Sequence, residues 1–169
     1  MSVPAPLKIL GLIVATTAFY TLVGQLVPQK EVHPPKETAL KKDMSSDDLV
    51  KAGKEIVEGK GLCSTCHTIG KSGALRFPDL AGIGSRAATR RPGHSDVDYL
   101  AESIYDPNLF IVPGFNPGMP VINKPPIGLS DPEILAVIAY LQSLGGKTTV
   151  TLESKVWPLA EGGAGQKAQ

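Results

Sequence analysis

Two cysteines are all that the 169-residue chain contains, and both fall in one run, Cys63-Ser64-Thr65-Cys66-His67. No other stretch limits the fold as much. A single tight turn at this spacing puts both sulfurs on one side, and the His67 imidazole follows at once. No other thiol exists, so no second disulfide can form. Two ordinary chemistries fit poorly. A thioredoxin-like dithiol sits near alternating strands and helices, and none flank this run. A tetrahedral zinc site needs four ligands. Only His33, His67 and His94 could supplement the thiols, and none has finger-like spacing.

C-x-x-C-H is instead the attachment signature of c-type haem. Each thiol adds to one vinyl group of the porphyrin, and the turn holds both sulfurs at one edge of the ring. The adjacent imidazole then falls under the iron as its fifth ligand. One run of this kind allows one covalent haem. Lysines plus arginines number 17 against 16 acidic residues, a formal charge of +1. That balance argues against a nucleic-acid partner, which would require a strong basic excess. Fifteen prolines and 18 glycines imply much loop-built structure, as expected where a prosthetic group fills the core.

Residues 9–27, ILGLIVATTAFYTLVGQLV, are uncharged and mostly apolar, and Lys8 is the only charge before residue 30. The run is about long enough to cross a bilayer as a helix. No small-x-small cleavage site follows it, so the expectation is an uncleaved signal anchor embedded in lipid. Lysines are more numerous after the run (Lys30, Lys36, Lys41, Lys42) than before it. The positive-inside rule alone would put the C-terminal side in the cytoplasm. Attachment through thioethers resembles the c-type cytochrome family, whose assembly occurs outside the cytoplasmic membrane, and that resemblance implies the opposite orientation. The expected topology is therefore a single pass of the inner membrane with the haem domain on the periplasmic side.

Residues 1–28 then form the anchor, 29–45 a proline- and lysine-containing linker, 46–146 the haem domain and 147–169 a C-terminal extension. Ser46 is the expected N-cap of a helix through Leu49, Val50, Gly53, Ile56 and Val57, ending at Gly59 or Gly61. Ser95-Asp96-Val97-Asp98 starts a second helix, broken at Asp106-Pro107. Ser130-Asp131-Pro132-Glu133 starts a third, with Ile134, Val137, Ile138, Leu141 and Leu144 on one face, closing at Gly145-Gly146. The basic run SRAATRRPGH (Arg86, Arg90, Arg91) reads as a solvated loop. A salt bridge to a haem propionate, or docking to an acidic partner, are the alternatives. Thr148–Leu152 could pair as a short strand.

A glycine-containing helix, C-x-x-C-H, a proline-x-leucine, a loop methionine and a final helix with an aromatic together resemble class I cytochrome c over residues 46–145. The resemblance implies an all-α fold of three to four helices wrapped around one covalent haem, here preceded by a transmembrane helix. It implies that Gly53 and Tyr140 mark the crossing of the first and last domain helices. It gives Pro78, in Pro78-Asp79-Leu80, the carbonyl that accepts from the His67 Nδ1–H and so strengthens the imidazole as a donor. Leu80 takes its place beside the haem. The residues themselves leave Met44, Met119, His94, His33 or no side chain open as sixth ligand. Met119, in Asn116-Pro117-Gly118-Met119-Pro120, occupies the place of the family's axial methionine.

The function implied is one-electron transfer, without substrate chemistry, between redox partner proteins. The SIYDPNLFIVPGFNPGMP passage resembles membrane cytochromes of quinol-oxidising complexes, alternative complex III among them, and implies a fixed subunit of a respiratory or photosynthetic complex. Val156, Trp157 and Leu159 are its expected contacts to that complex. A free-standing anchored shuttle is the alternative within this class. Outside it stand an open-face haem enzyme or gas sensor, which would need His94 as a distal base, and a mainly structural subunit.

Overall fold

A computed structural model of the chain describes residues 3–28, 40–41 and 43–156, so the expectations for His33, Trp157 and Leu159 lie outside the described residues. The chain divides into two compact units, Met1–Pro34 and Pro35–Gln169.

The first unit contains one helix, α1 (Ala5–Leu26), opened by Pro4 and Pro6, with no buried residue. Its leucine, isoleucine, valine and phenylalanine side chains are exposed all round. At 1.5 Å per residue, 22 residues span about 33 Å, enough for a hydrocarbon core. Among the described residues it is the one helix long and apolar enough to cross a membrane, and it is a candidate span or signal sequence.

The second unit is built from α2 (Ser46–Glu58), a 3-10 turn (Cys63–Thr65), α3 (Ile83–Arg90), α4 (Asp96–Tyr105) and α5 (Asp131–Ser143), with no strand among the described residues. The cap of α2 is Ser45, one residue earlier than expected, because its hydroxyl accepts from Asp48 N–H at 3.2 Å. Leu49, Ala52, Gly53, Ile56 and Val57 form the buried face of α2, a spacing with helical period. The α5 start is fixed by Glu133, whose Oε2 accepts from Ser130 N–H and hydroxyl, each at 2.8 Å. Lys60 donates to the same carboxylate at 2.7 and 2.9 Å, tying the start of α5 to the segment leading into the cysteine run. Burial alone would push the Glu133 carboxyl up, but the Lys60 and Ser130 bonds outweigh it and leave the group lowered.

The sequence suggests one apolar face on α5; the structure buries every residue from Glu133 to Gln142. The helix is the axis of the unit, with α2, α3 and α4 packed around it. At its crossing with α2, an added Cβ on Gly53 would stand 1.9 Å from the Ala136 carbonyl oxygen and 2.9 Å from Tyr140 Cβ. The backbones touch there.

Two sequence expectations are corrected. The SRAATRR run is not a solvated loop: Ile83–Arg90 is a helix, with Ile83 and Ala87 buried. Its N-cap is Gly82 in the left-handed region, with no side-chain cap, so the usual start signal is missing. Thr148–Leu152 forms no strand. Instead Gln142, fully buried, accepts from the N–H groups of Thr149 (3.0 Å) and Val150 (3.2 Å). Its Nε2 donates to Asp96 (2.6 Å) and the Thr149 hydroxyl (2.9 Å). Val150 and Val156 are 2% and 1% exposed. The segment straps onto the core, and Val156 is not free to serve as a contact to another protein.

Candidate functional site

The cysteine run is shaped by its own backbone. Leu62, at φ 55°, stands in the left-handed region although it is not glycine, a conformation that costs about 1 kcal/mol or more. It turns the chain into the 3-10 turn. Cys66 N–H and His67 N–H both donate to the Cys63 carbonyl, at 3.1 and 2.9 Å. Cys63 is half-buried, Cys66 is exposed, and neither is paired. Burial pushes the Cys63 thiol up.

His67 is oriented from behind: its Nδ1 lies 2.8 Å from the Pro78 carbonyl oxygen, the contact expected from the resemblance. With Nδ1–H donating there, Nε2 is the nitrogen left with a free lone pair. Phe77 lies beside the ring, with centroids 6.2 Å apart. The Pro78–Leu80 segment is itself clamped. Leu80 N–H donates to the Thr68 carbonyl at 2.7 Å. Asp79 accepts from the Thr68 hydroxyl (2.6 Å) and from the N–H groups of Lys71, Gly70 and Ala81 (2.9, 3.0 and 2.8 Å). The Thr68 hydroxyl first, then those amides against the cost of desolvation, hold the Asp79 carboxyl well below the usual range.

Cys63, His67, Pro78, Leu80 and Met119 all line one crevice of about 1070 Å³, open to solvent. Cys66 lies on an adjoining hollow that shares Cys63, His67 and Met119 with it. All six expected site residues are thus brought together. Val57, Ile83, Leu100 and Val137, one from each of α2 to α5, give the crevice apolar walls. Met44 packs against the core elsewhere. His94 does not line the crevice and lies with Nε2 3.2 Å from Glu102.

The donor set fits a haem. Two thiols stand at the rim, an imidazole is held by one nitrogen, and a thioether shares the cavity. Two further atoms strengthen the fit. Arg86 and Arg90 line the crevice, and the Nε of each is buried without a partner. Buried donors are almost always satisfied, and anionic side groups of a porphyrin would satisfy these. Arg86 is held in place by donating to the Ala81 and Asp79 carbonyls. Sequence reasoning kept this role only as an alternative, because it missed α3. It missed Glu102, Gln142 and Phe77 altogether; nothing in their local sequence marks them.

A family model described as Cytochrome c matches residues 50–145, more than half of the chain. No curated protein matches the chain.

Proposed function

The chain belongs to the cytochrome c family, and from that premise we propose that it is a membrane-anchored, single-haem subunit of a quinol-oxidising electron-transfer complex. Covalent haem c and haem-based electron transfer come with the family, whose members are generally electron carriers rather than enzymes. When bound, the haem supplies one iron that accepts and releases single electrons. The chain's residues do the rest. Cys63 and Cys66, both free thiols, would hold the ring through thioethers. His67, its tautomer fixed by Pro78, would hold the iron through Nε2, and Met119 would be the second side chain to hold it. Histidine–methionine ligation raises the potential. With both residues bound, no site on the iron would be left for a substrate.

The observation that carries this reading is that His67 and Met119 share one apolar crevice while His94 is tied to Glu102 outside it. An open-face enzyme or gas sensor would want a distal base in the crevice, and His94 is not there. Two features support an anchored subunit. An N-terminal helix exposes apolar side chains all round, and the charge balance supplies no strong steering field for brief encounters. The free-standing shuttle differs in what accompanies the protein when it is extracted with mild detergent. Co-purifying integral subunits support the complex, and a lone monomer at moderate salt refutes it.

Ligation is tested by Met119→Ala. The wild-type ferrous protein should exclude carbon monoxide, and the variant should bind it, lose the weak far-red sulfur-to-iron band and drop in potential. An unchanged variant spectrum would overturn Met119 as the ligand.

A further inference from the structure

Glu102, on α4, is the most deeply buried carboxylate among the described residues, 2% exposed. An unpaired buried charge is strongly destabilising, so its surroundings should explain it. Two groups converge on it: the Arg91 guanidinium donates to one oxygen, and His94 Nε2 lies 3.2 Å from the other. The chain of contacts continues. The Arg91 guanidinium lies over the Phe110 ring, 5.8 Å from its centroid, and Phe110 meets Tyr99 edge-on at 6.0 Å. Both rings line the crevice.

Phe110 belongs to the stretch 107–119, which ends at Met119. Among the described residues, the backbone bonds of this stretch are local. Leu109 N–H donates to Asp106 and Phe115 N–H to Val112. None reaches another helix, so side-chain packing must hold the loop, and Phe110 is its gripped point. A lone arginine is a poor grip because its long side chain is floppy. Paired with a buried carboxylate, its plane is fixed, and a desolvated cation over a ring is worth the most.

We propose that Glu102 is a positioning residue for Met119: by fixing Arg91 across Phe110 it holds the 107–119 loop against the crevice. The inference rests on the reading of Met119 as axial ligand. Loosening the grip lets an outside ligand replace Met119 more easily, whereas a merely structural carboxylate would change only stability.

The experiment titrates the detergent-solubilised, haem-loaded, full-length ferric protein with imidazole, following loss of the far-red band, alongside thermal melting. Glu102→Gln should raise the apparent imidazole affinity roughly tenfold, because losing the carboxylate's charge weakens the hydrogen bond that fixes Arg91. Arg91→Lys keeps the charge beside Glu102 but loses the planar stack, and should raise the affinity similarly at nearly wild-type melting temperature. It decides the matter if Glu102→Gln fails to fold. Gln142→Ala, at a buried site away from the loop, should melt earlier with imidazole affinity unchanged. Wild-type affinity in both Glu102→Gln and Arg91→Lys overturns the proposal, as does an equal rise in Gln142→Ala. A wild-type protein lacking the band and binding imidazole as Met119→Ala does overturns the ligation reading, and this inference with it.

Discussion

Gly53→Ala is the sharpest test of how the crevice is framed, because it adds one methyl where two helix backbones meet. The added carbon would stand 1.9 Å from the Ala136 oxygen, 2.6 Å from its carbonyl carbon and 2.9 Å from Tyr140 Cβ. Ordinary contact distances are about 3.5 Å, so α2 and α5 would have to part locally by on the order of 1.5 Å. Overpacking of this kind costs typically 1–3 kcal/mol. A clash with backbone, which cannot rotate away, belongs at the upper end. Alanine's better helix propensity returns about 1 kcal/mol, leaving a net loss of roughly 2 kcal/mol. At about 4–8 °C per kcal/mol for a domain of this size, the melting temperature should fall by about 10–15 °C. Val57 and Val137 on the same two helices line the crevice, so the far-red band should shift or weaken as well. Gly70→Ala is the contrast. No atom lies within 4 Å of its added carbon, and only the backbone, at φ +80°, objects, at a cost of about 1 kcal/mol. Far-UV circular dichroism melts of the solubilised, haem-loaded chain measure both. A Gly53→Ala protein melting within about 3 °C of wild type would refute the close crossing.

Two other perturbations follow. Asp79 has a lowered carboxyl, so its stabilisation is complete above the ordinary carboxylate value of about 4 and is lost as pH falls through the lower folded value. Asp79→Asn should therefore flatten the acid limb of stability, and melts below about pH 4 that run parallel for variant and wild type would count against the clamp. Truncation after Gly146 removes buried Val150 and Val156 and strips Gln142 of Thr149 and Val150. With about 1.5–3 kcal/mol per buried valine, the truncated chain should melt more than 10 °C lower, and a truncated chain as stable as the full one would show that the strap adds nothing.

How much was legible in the sequence depended on whether a residue's role is local. The turn Cys63–His67 and the caps Ser95 and Ser130 act on neighbours within a few residues, so spacing alone reveals them. The Pro78 carbonyl lies 11 residues from His67 and is expected only through the family resemblance. α3 stayed hidden because its start depends on Gly82 at φ 67°, a backbone conformation that leaves no capping side chain to read. Arg86 and Arg90 looked solvated for the same reason, since without the helix nothing turns them toward the crevice.

The remaining omissions are long-range, and they share one cause. Gln142 replaces backbone partners for Thr149 and Val150, and Glu102 draws together Arg91 and His94 from the segment before α4. In sequence each is a polar residue within an amphipathic helix, where the expected reading is a solvent face. Polarity can be buried there only because a partner arrives from another segment, and periodicity carries no record of that arrival. The all-round burial of α5 has the same origin: Gln142 is covered by the strap 147–156 and by Asp96 at the start of α4, and Glu133 by Lys60 and Ser130, not by water. A helix pattern therefore gives the face that must be buried. Which further faces become buried is decided by the segments that fold over it, and here those segments lie beside the crevice and beyond the matched residues 50–145.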